Sequence, residues 1–110
     1  MSNEIVIDFS KLGGPLYTGR DRGEEVRKRF DLDTIDSSNI SVNVVIPENT
    51  YSITSSFFLG LFGDSIRDCG EVDNFFKTFK FNAPDLMIEK FTDYAKRALR
   101  EKKPLFSNSI

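Results

Sequence analysis

Three short β-type runs separated by segments of helical period constrain this chain most. "EIVIDFS" (4–10), "ISVNVVIP" (40–47) and "FFKTFKF" (75–81) carry β-branched and aromatic residues in strand-like order. Between and after them lie "RGEEVRKRFD" (22–31), with Val26 and Phe30 four apart, and a stretch from about Ser56 to Arg67. In the latter, Phe57, Phe58, Leu61, Phe62 and Ser65 recur at helical spacing. The amphipathic run 85–103 repeats Ile88, Phe91, Ala95, Ala98 and Leu99 at three and four. The expected order is strand, loop, helix, strand, helix, strand, long helix. That alternation predicts an α/β domain with a small mixed β-sheet packed by helices. Val42, Val44 and Ile46 share one face of the central strand, and Val45 on the other predicts partial cover on both sides. Lys77 and Lys80 place the third strand near an edge.

The joints carry their own chemistry. Gly13, Gly14, Pro15 and Gly19 make 11–20 a loop, with room for a short extended piece at Leu16–Tyr17. Asp21 followed by Glu24 reads as a helix start of the capping-box type. "DTIDSSN" reads as a loop, and Asn82-Ala83-Pro84 as the entry to the last helix. No repeat divides the 110 residues, which are read as one domain with a core at about 4–103 and a short C-terminal tail.

Composition excludes several chemistries. The chain has no His, which removes Ser-His and Cys-His catalysis and every His metal ligand. A single cysteine, Cys69, permits neither an internal disulfide nor a cysteine metal cage, and it reads as a small buried or half-buried residue. Asp8, Asp64, Asp68 and Glu71 have no metal-ligand spacing. The expectation is therefore no metal, no cofactor and no enzyme. A net charge of −2 gives no reason to expect nucleic acid or an anionic membrane. The basic cluster at 96–103 is explained by its place at a helix C-terminus. Without a leader-like opening or a long apolar run, the expected location is the cytoplasm. Eleven Phe and no Trp predict a core dominated by aromatic packing.

Two stretches invite a functional reading. In "SITSSFFLGLFG" (52–63) four hydroxyl residues, Ser52, Thr54, Ser55 and Ser56, precede a Phe-rich helix. Hydroxyls there cap the free N–H groups of a first turn, and the same groups attract anions. In "GGPLYTGRDRG" (13–23), Tyr17, Arg20 and Arg22 could line an anion or nucleotide loop. The stretch has neither the P-loop Gly-Lys-Ser/Thr nor the GxGxxG spacing.

Taken together, residues 19–27, 40–46 and 53–63 resemble the small prokaryotic STAS-like proteins, relatives of anti-sigma-factor antagonists. "GRDRGEEVR" resembles their Arg-x-x-Gly-x-x-x-Arg helix opening. "VNVVIPENTYSITSSFFLGLFG" resembles their strand, turn, Ile-Ser-Ser-Ser-Phe and Leu-Phe-Gly helix. The resemblance spans about residues 4–100. It implies a regulatory, non-enzymatic protein that binds a signalling partner, with a histidine-kinase-like ATPase as the expected kind. It implies Ser55 as phosphoacceptor, with Thr54 and Ser56 beside it and Phe57 or Phe58 as an apolar anchor if exposed. Two positions depart from the pattern: Ile46, followed by Pro47, stands where an acid and an aromatic are expected, and Gly60 stands where an acid is often found. Two alternatives come from other classes. One is a small-molecule or nucleotide module at loop 13–22. The other is a structural subunit, a homo-oligomer formed through a Phe-rich surface.

Overall fold

Side chains in β1 (Glu4–Asp8), β3 (Ser41–Val45) and β5 (Phe79–Asn82) alternate between a buried and a half-open face, which is what makes these segments sheet. The architecture is taken from a computed structural model that describes residues 4–14, 16–38 and 40–100. All three strands run parallel, in chain order β1-β3-β5, so β5 is an edge as Lys80 suggested. The rows Ile5–Val42–Phe79 and Ile7–Val44–Phe81 lie on one face. Ile7, Val42 and Val44 there are fully buried. A second, two-stranded parallel ladder pairs β2 (Leu16–Tyr17) with β4 (Ser52–Ile53). The class is α/β, as expected, but every described strand pair is parallel where a mixed sheet was predicted.

The other sheet face corrects a second expectation. It carries Glu4, Val6 and Asp8 beside Ser41, Asn43 and Val45, then Lys80 and Asn82, all half-exposed or exposed. The helices therefore cover one face, and the polar character of the opposite row compensates for its contact with water.

Two crossovers connect the parallel strands. The first is α1 (Arg20–Arg29) and α2 (Leu32–Asp36); the second is α3 (Ser55–Cys69) and α4 (Val72–Thr78). The final helix, α5 (Asp85–Arg100), packs against α3. The predicted continuation of α5 to 103 and the tail lie outside the described residues.

Three local readings change. Gly19, at φ 92°, is the N-cap of α1, and Gly23 N–H donates to its carbonyl at 3.2 Å, so Asp21 sits inside the helix instead of capping it. Leu32 and Ile35, three apart and both buried, wind the first four residues of "DTIDSSN", 33–36, into α2 where a loop was expected. Val72, Phe75, Phe76 and Phe79 fall at helical spacing, so 72–78 is helix and only 79–82 is strand. The aromatic alternation of "FFKTFKF" is thus a helix end running into a strand.

The Phe-rich core is as composition predicted. Phe58 stacks on Phe91 at 5.0 Å between ring centres, and Phe75 on Phe79 at 4.8 Å. Phe62 meets Phe75, Phe79 and Phe81 edge-on.

The α1–α3 crossing depends on two glycines. A Cβ on Gly23 would overlap the Phe57 carbonyl oxygen and sit 2.8 Å from the Leu61 amide nitrogen. A Cβ on Gly60 would overlap the Arg20 carbonyl oxygen and sit 3.0 Å from its carbonyl carbon. Main chain meets main chain here, leaving no room for side chains.

Candidate functional site

The start of α3 is built from the hydroxyl run. Thr54 is the N-cap, in extended conformation (φ −73°, ψ 159°), and its Oγ1 accepts from Phe57 N–H at 3.3 Å. Its carbonyl accepts the first helical bond from Phe58 N–H at 3.0 Å, and its own N–H donates to Tyr17 O at 2.9 Å. The β2–β4 ladder therefore continues into the cap and fixes where the helix begins.

With Thr54 serving Phe57, the N–H groups of Ser55 and Ser56 face the open end of the helix. Ser55 is half-buried and Ser56 exposed, and neither hydroxyl has a hydrogen-bond partner among the described residues. Phe57 and Phe58, expected as surface anchors if exposed, are each 1% exposed and belong to the core. Phe57 packs against Phe9 and Tyr17; Phe58 packs against Phe62, Phe91 and Tyr94. Both rings point into the core, so the apolar surface at this end comes from elsewhere. Tyr51 is 81% exposed, and Leu16, paired with Ser52, is 47% exposed. The sequence reading missed both. Their signal was a large apolar side chain in the connection before β4 and one in a two-residue strand, each with too few neighbours to cover it.

The Gly/Arg loop does not assemble into one site. Tyr17 is buried, its hydroxyl donates to Phe9 O at 2.6 Å, and burial pushes its phenol pKa up. It lines a cavity of about 140 Å³ with Ser10, Asn49 and Thr50, at the C-terminal ends of β1 and β3. Arg22 lines a different hollow with Leu12, Glu25, Val26 and Arg29, and Arg20, though exposed, borders neither of the two. Tyr17 and the two arginines thus do not converge on a ligand. A Phe-rich self-association surface is likewise absent among the described residues, since every phenylalanine among them is buried or half-buried.

Arg27, the second arginine of the Arg-x-x-Gly-x-x-x-Arg pattern, is itself buried and holds a network that runs from the core out to exposed Asp33. One guanidinium nitrogen donates to Leu61 O at 3.1 Å and Ser65 Oγ at 2.8 Å; another reaches Asp33 at 2.8 Å and Asp36 at 2.6 Å. Ser65 Oγ donates in turn to Asp36 at 2.8 Å. Burial opposes the charge on Arg27, but Asp36 and Asp33 outweigh it and hold its pKa above the ordinary value. The visible signal was Ser65, a lone hydroxyl on the apolar stripe of α3. Asp8 takes no part, since its carboxylate accepts from Ser10 N–H at 2.9 Å and Ser10 Oγ at 2.7 Å. Those bonds hold its pKa below the usual carboxylate value.

Of the two departures, Ile46 is a core residue, 4% exposed, and Gly60 is the contact with α1 described above. A carboxylate at either position would be buried against main chain or apolar side chains.

A cavity of about 450 Å³ opens at the N-terminal ends of β3 and β5, lined in part by Asp36, Asp68, Cys69 and Lys77. Half-buried Cys69 borders it, and burial together with Asp36 and Asp68 pushes its thiol pKa up, away from nucleophilic character. Among the described residues no group of acidic or cysteine side chains could hold a metal ion, and no helix is long and apolar enough to cross a membrane. Comparison with family models, with curated proteins and with solved structures finds no match for this chain.

Proposed function

We propose that this chain is a STAS-like regulatory protein of the cytoplasm, not an enzyme, that acts by binding a protein partner through the start of α3. Ser55 is the switch, Thr54 and Ser56 flank it, and Tyr51 and Leu16 supply the apolar contact first assigned to Phe57 and Phe58. The observation that carries this reading is the division of labour among the hydroxyls. Thr54 alone caps the helix, while Ser55 and Ser56 have no hydrogen-bond partner among the described residues, and the short β2–β4 ladder that leads into the cap carries exposed Leu16 and is preceded by exposed Tyr51.

The chemistry follows from position. A phosphate on Ser55 would add about −1.5 to −2 charges at the positive end of a helix, where free N–H groups stabilise it. A partner whose footprint covers the start of α3 together with Tyr51 and Leu16 would have to desolvate that charge, so modification releases the complex. A histidine-kinase-like ATPase is the partner that the sequence resemblance favours. Acidic contacts at positions 46 and 60 are no part of the mechanism in this chain.

The test is capture of partners from native-host lysate with and without ATP, with the intact mass of the bait read afterwards. An ATPase that co-purifies without ATP and leaves as ~80 Da appears on the bait supports the reading. A bait that stays unmodified and holds no specific partner contradicts it.

A further inference from the structure

The cavity of about 140 Å³ at the C-terminal ends of β1 and β3 lies between the segments that follow those two strands. In open α/β sheets, ligands bind outside the carboxyl ends of the strands. Phe9, Tyr17 and Pro47 give the cavity apolar walls, and Ser10, Asn49 and Thr50 are its polar side chains. No charged side chain among the described residues lines it. Thr50 is 8% exposed, and its N–H donates to Pro47 O at 3.0 Å. Its hydroxyl has no hydrogen-bond partner among the described residues, an uncommon state for a buried polar group. Ser10 Oγ already gives its proton to Asp8 at 2.7 Å, so it presents lone pairs only and accepts from any further partner. The Asn49 carboxamide, exposed at the rim, offers both donors and an acceptor. Tyr17 contributes its ring alone, because its hydroxyl is taken by Phe9 O.

We propose that this cavity binds an uncharged polyol of about three to five carbons, free or as the sugar end of a larger molecule. Each hydroxyl of a polyol donates and accepts at once, which matches the acceptor on Ser10 and the two-way groups on Asn49 and Thr50. Its C–H groups suit the walls made by Phe9, Tyr17 and Pro47. An ion would lose hydration here with no opposite charge in the wall, and an apolar molecule would leave the Thr50 hydroxyl unbonded. The size fits, because a cavity of about 150 Å³ holds a benzene-sized molecule. The site is distinct from Ser55, and binding to it does not rest on the function proposed for the start of α3.

The test is titration of the isotope-labelled full chain, followed by amide NMR, with glycerol, erythritol, ribose and methyl riboside. At least one should give saturable shifts confined to residues 9–14, 17 and 47–51. Saturation by a free polyol supports a small free ligand, and saturation by methyl riboside alone supports a sugar carried on a larger molecule. T50V keeps the shape of the side chain and removes only the hydroxyl, so it should raise the dissociation constant about tenfold. Without ligand, T50V should be at least as stable to urea as wild type, since it loses no bond. N49A, at an exposed position, should weaken binding in the same direction with the fold unchanged. Shifts that only grow linearly over the whole surface would mean that water alone fills the cavity, and would overturn the proposal. So would saturation by toluene or inorganic phosphate in place of every polyol, a T50V that binds as tightly as wild type, or a T50V that is less stable because its hydroxyl was bonded within the protein.

Discussion

Gly60 and Gly63 lie three apart on the same buried stretch of α3, yet Ala at the two sites should shift stability in opposite directions. In a helix interior Ala is favoured over Gly by about 1 kcal/mol, so propensity alone stabilises both variants. At Gly63 the added methyl meets only the Arg67 guanidinium, 3.2 Å away, at the tip of a flexible side chain that is 31% exposed. That tip moves at little cost, and G63A should be neutral or up to about 1 kcal/mol more stable. At Gly60 the methyl overlaps the Arg20 carbonyl oxygen and reaches its carbonyl carbon at 3.0 Å. Main chain cannot rotate away, so α1 and α3 must separate by on the order of 1 Å along their crossing. Overpacking of this kind costs about 1–3 kcal/mol, and a rigid opponent puts the cost near the top of that range. After subtracting the propensity gain, G60A should be destabilised by about 1–2 kcal/mol, a fall in Tm of about 4–16 °C for a domain this size. G60D, which places an acid there as in the STAS-like pattern, should lose more, because it adds a charge facing the Arg20 carbonyl. Thermal and urea unfolding followed by circular dichroism measure all three. If G60A proves as stable as G63A, the close backbone crossing is not a feature of the folded protein.

Three further predictions follow from named contacts. T54A should lose about 1 kcal/mol in urea unfolding, as for a lost N-cap, while S55A stays within about 0.5 kcal/mol of wild type. Equal losses at both would mean that Ser55 caps the helix as well. R27M should lose about 3–5 kcal/mol, because it leaves Asp36 and Ser65 buried without their cation, and R27K should recover only part of that loss since an ammonium cannot serve Leu61 O, Ser65, Asp33 and Asp36 together. Cys69 should react slowly with a disulfide reagent in the folded protein through the ordinary thiol range. Its raised pKa keeps the thiolate scarce until the pH is higher, and unfolding in guanidinium should remove the delay. Rapid labelling of folded protein at neutral pH would contradict that environment.

The sequence made the fold legible where one period dominated. "ISVNVVIP" alternates cleanly, and α5 repeats at three and four over four turns; both elements lie where their patterns put them. "FFKTFKF" reads as strand because Phe75, Phe76, Phe79 and Phe81 satisfy a helical and a strand period at once. The strand reading ignored Val72, which decides for helix over 72–78. Gly19 took the cap from Asp21 because a positive φ there is available to glycine without strain, a fact that composition does not announce. At the site, the hydroxyl run marked the helix start correctly, but not which hydroxyl caps. The cap depends on where β4 ends, and β4 is only two residues long. Exposure was the least legible property. Phe57 and Phe58 carry the same letters whether they face a partner or the sheet, and only tertiary packing decides.

The central claim is that Ser55 is modified where Thr54 and Ser56 are not. Chain purified from its native host, digested and mapped by fragment-ion mass spectrometry, tests this most directly. The account predicts a phosphate of ~80 Da on Ser55, gone in S55A and undiminished in S56A. Phosphate confined to Thr54 or Ser56, or none in cells sampled across growth conditions, would contradict it.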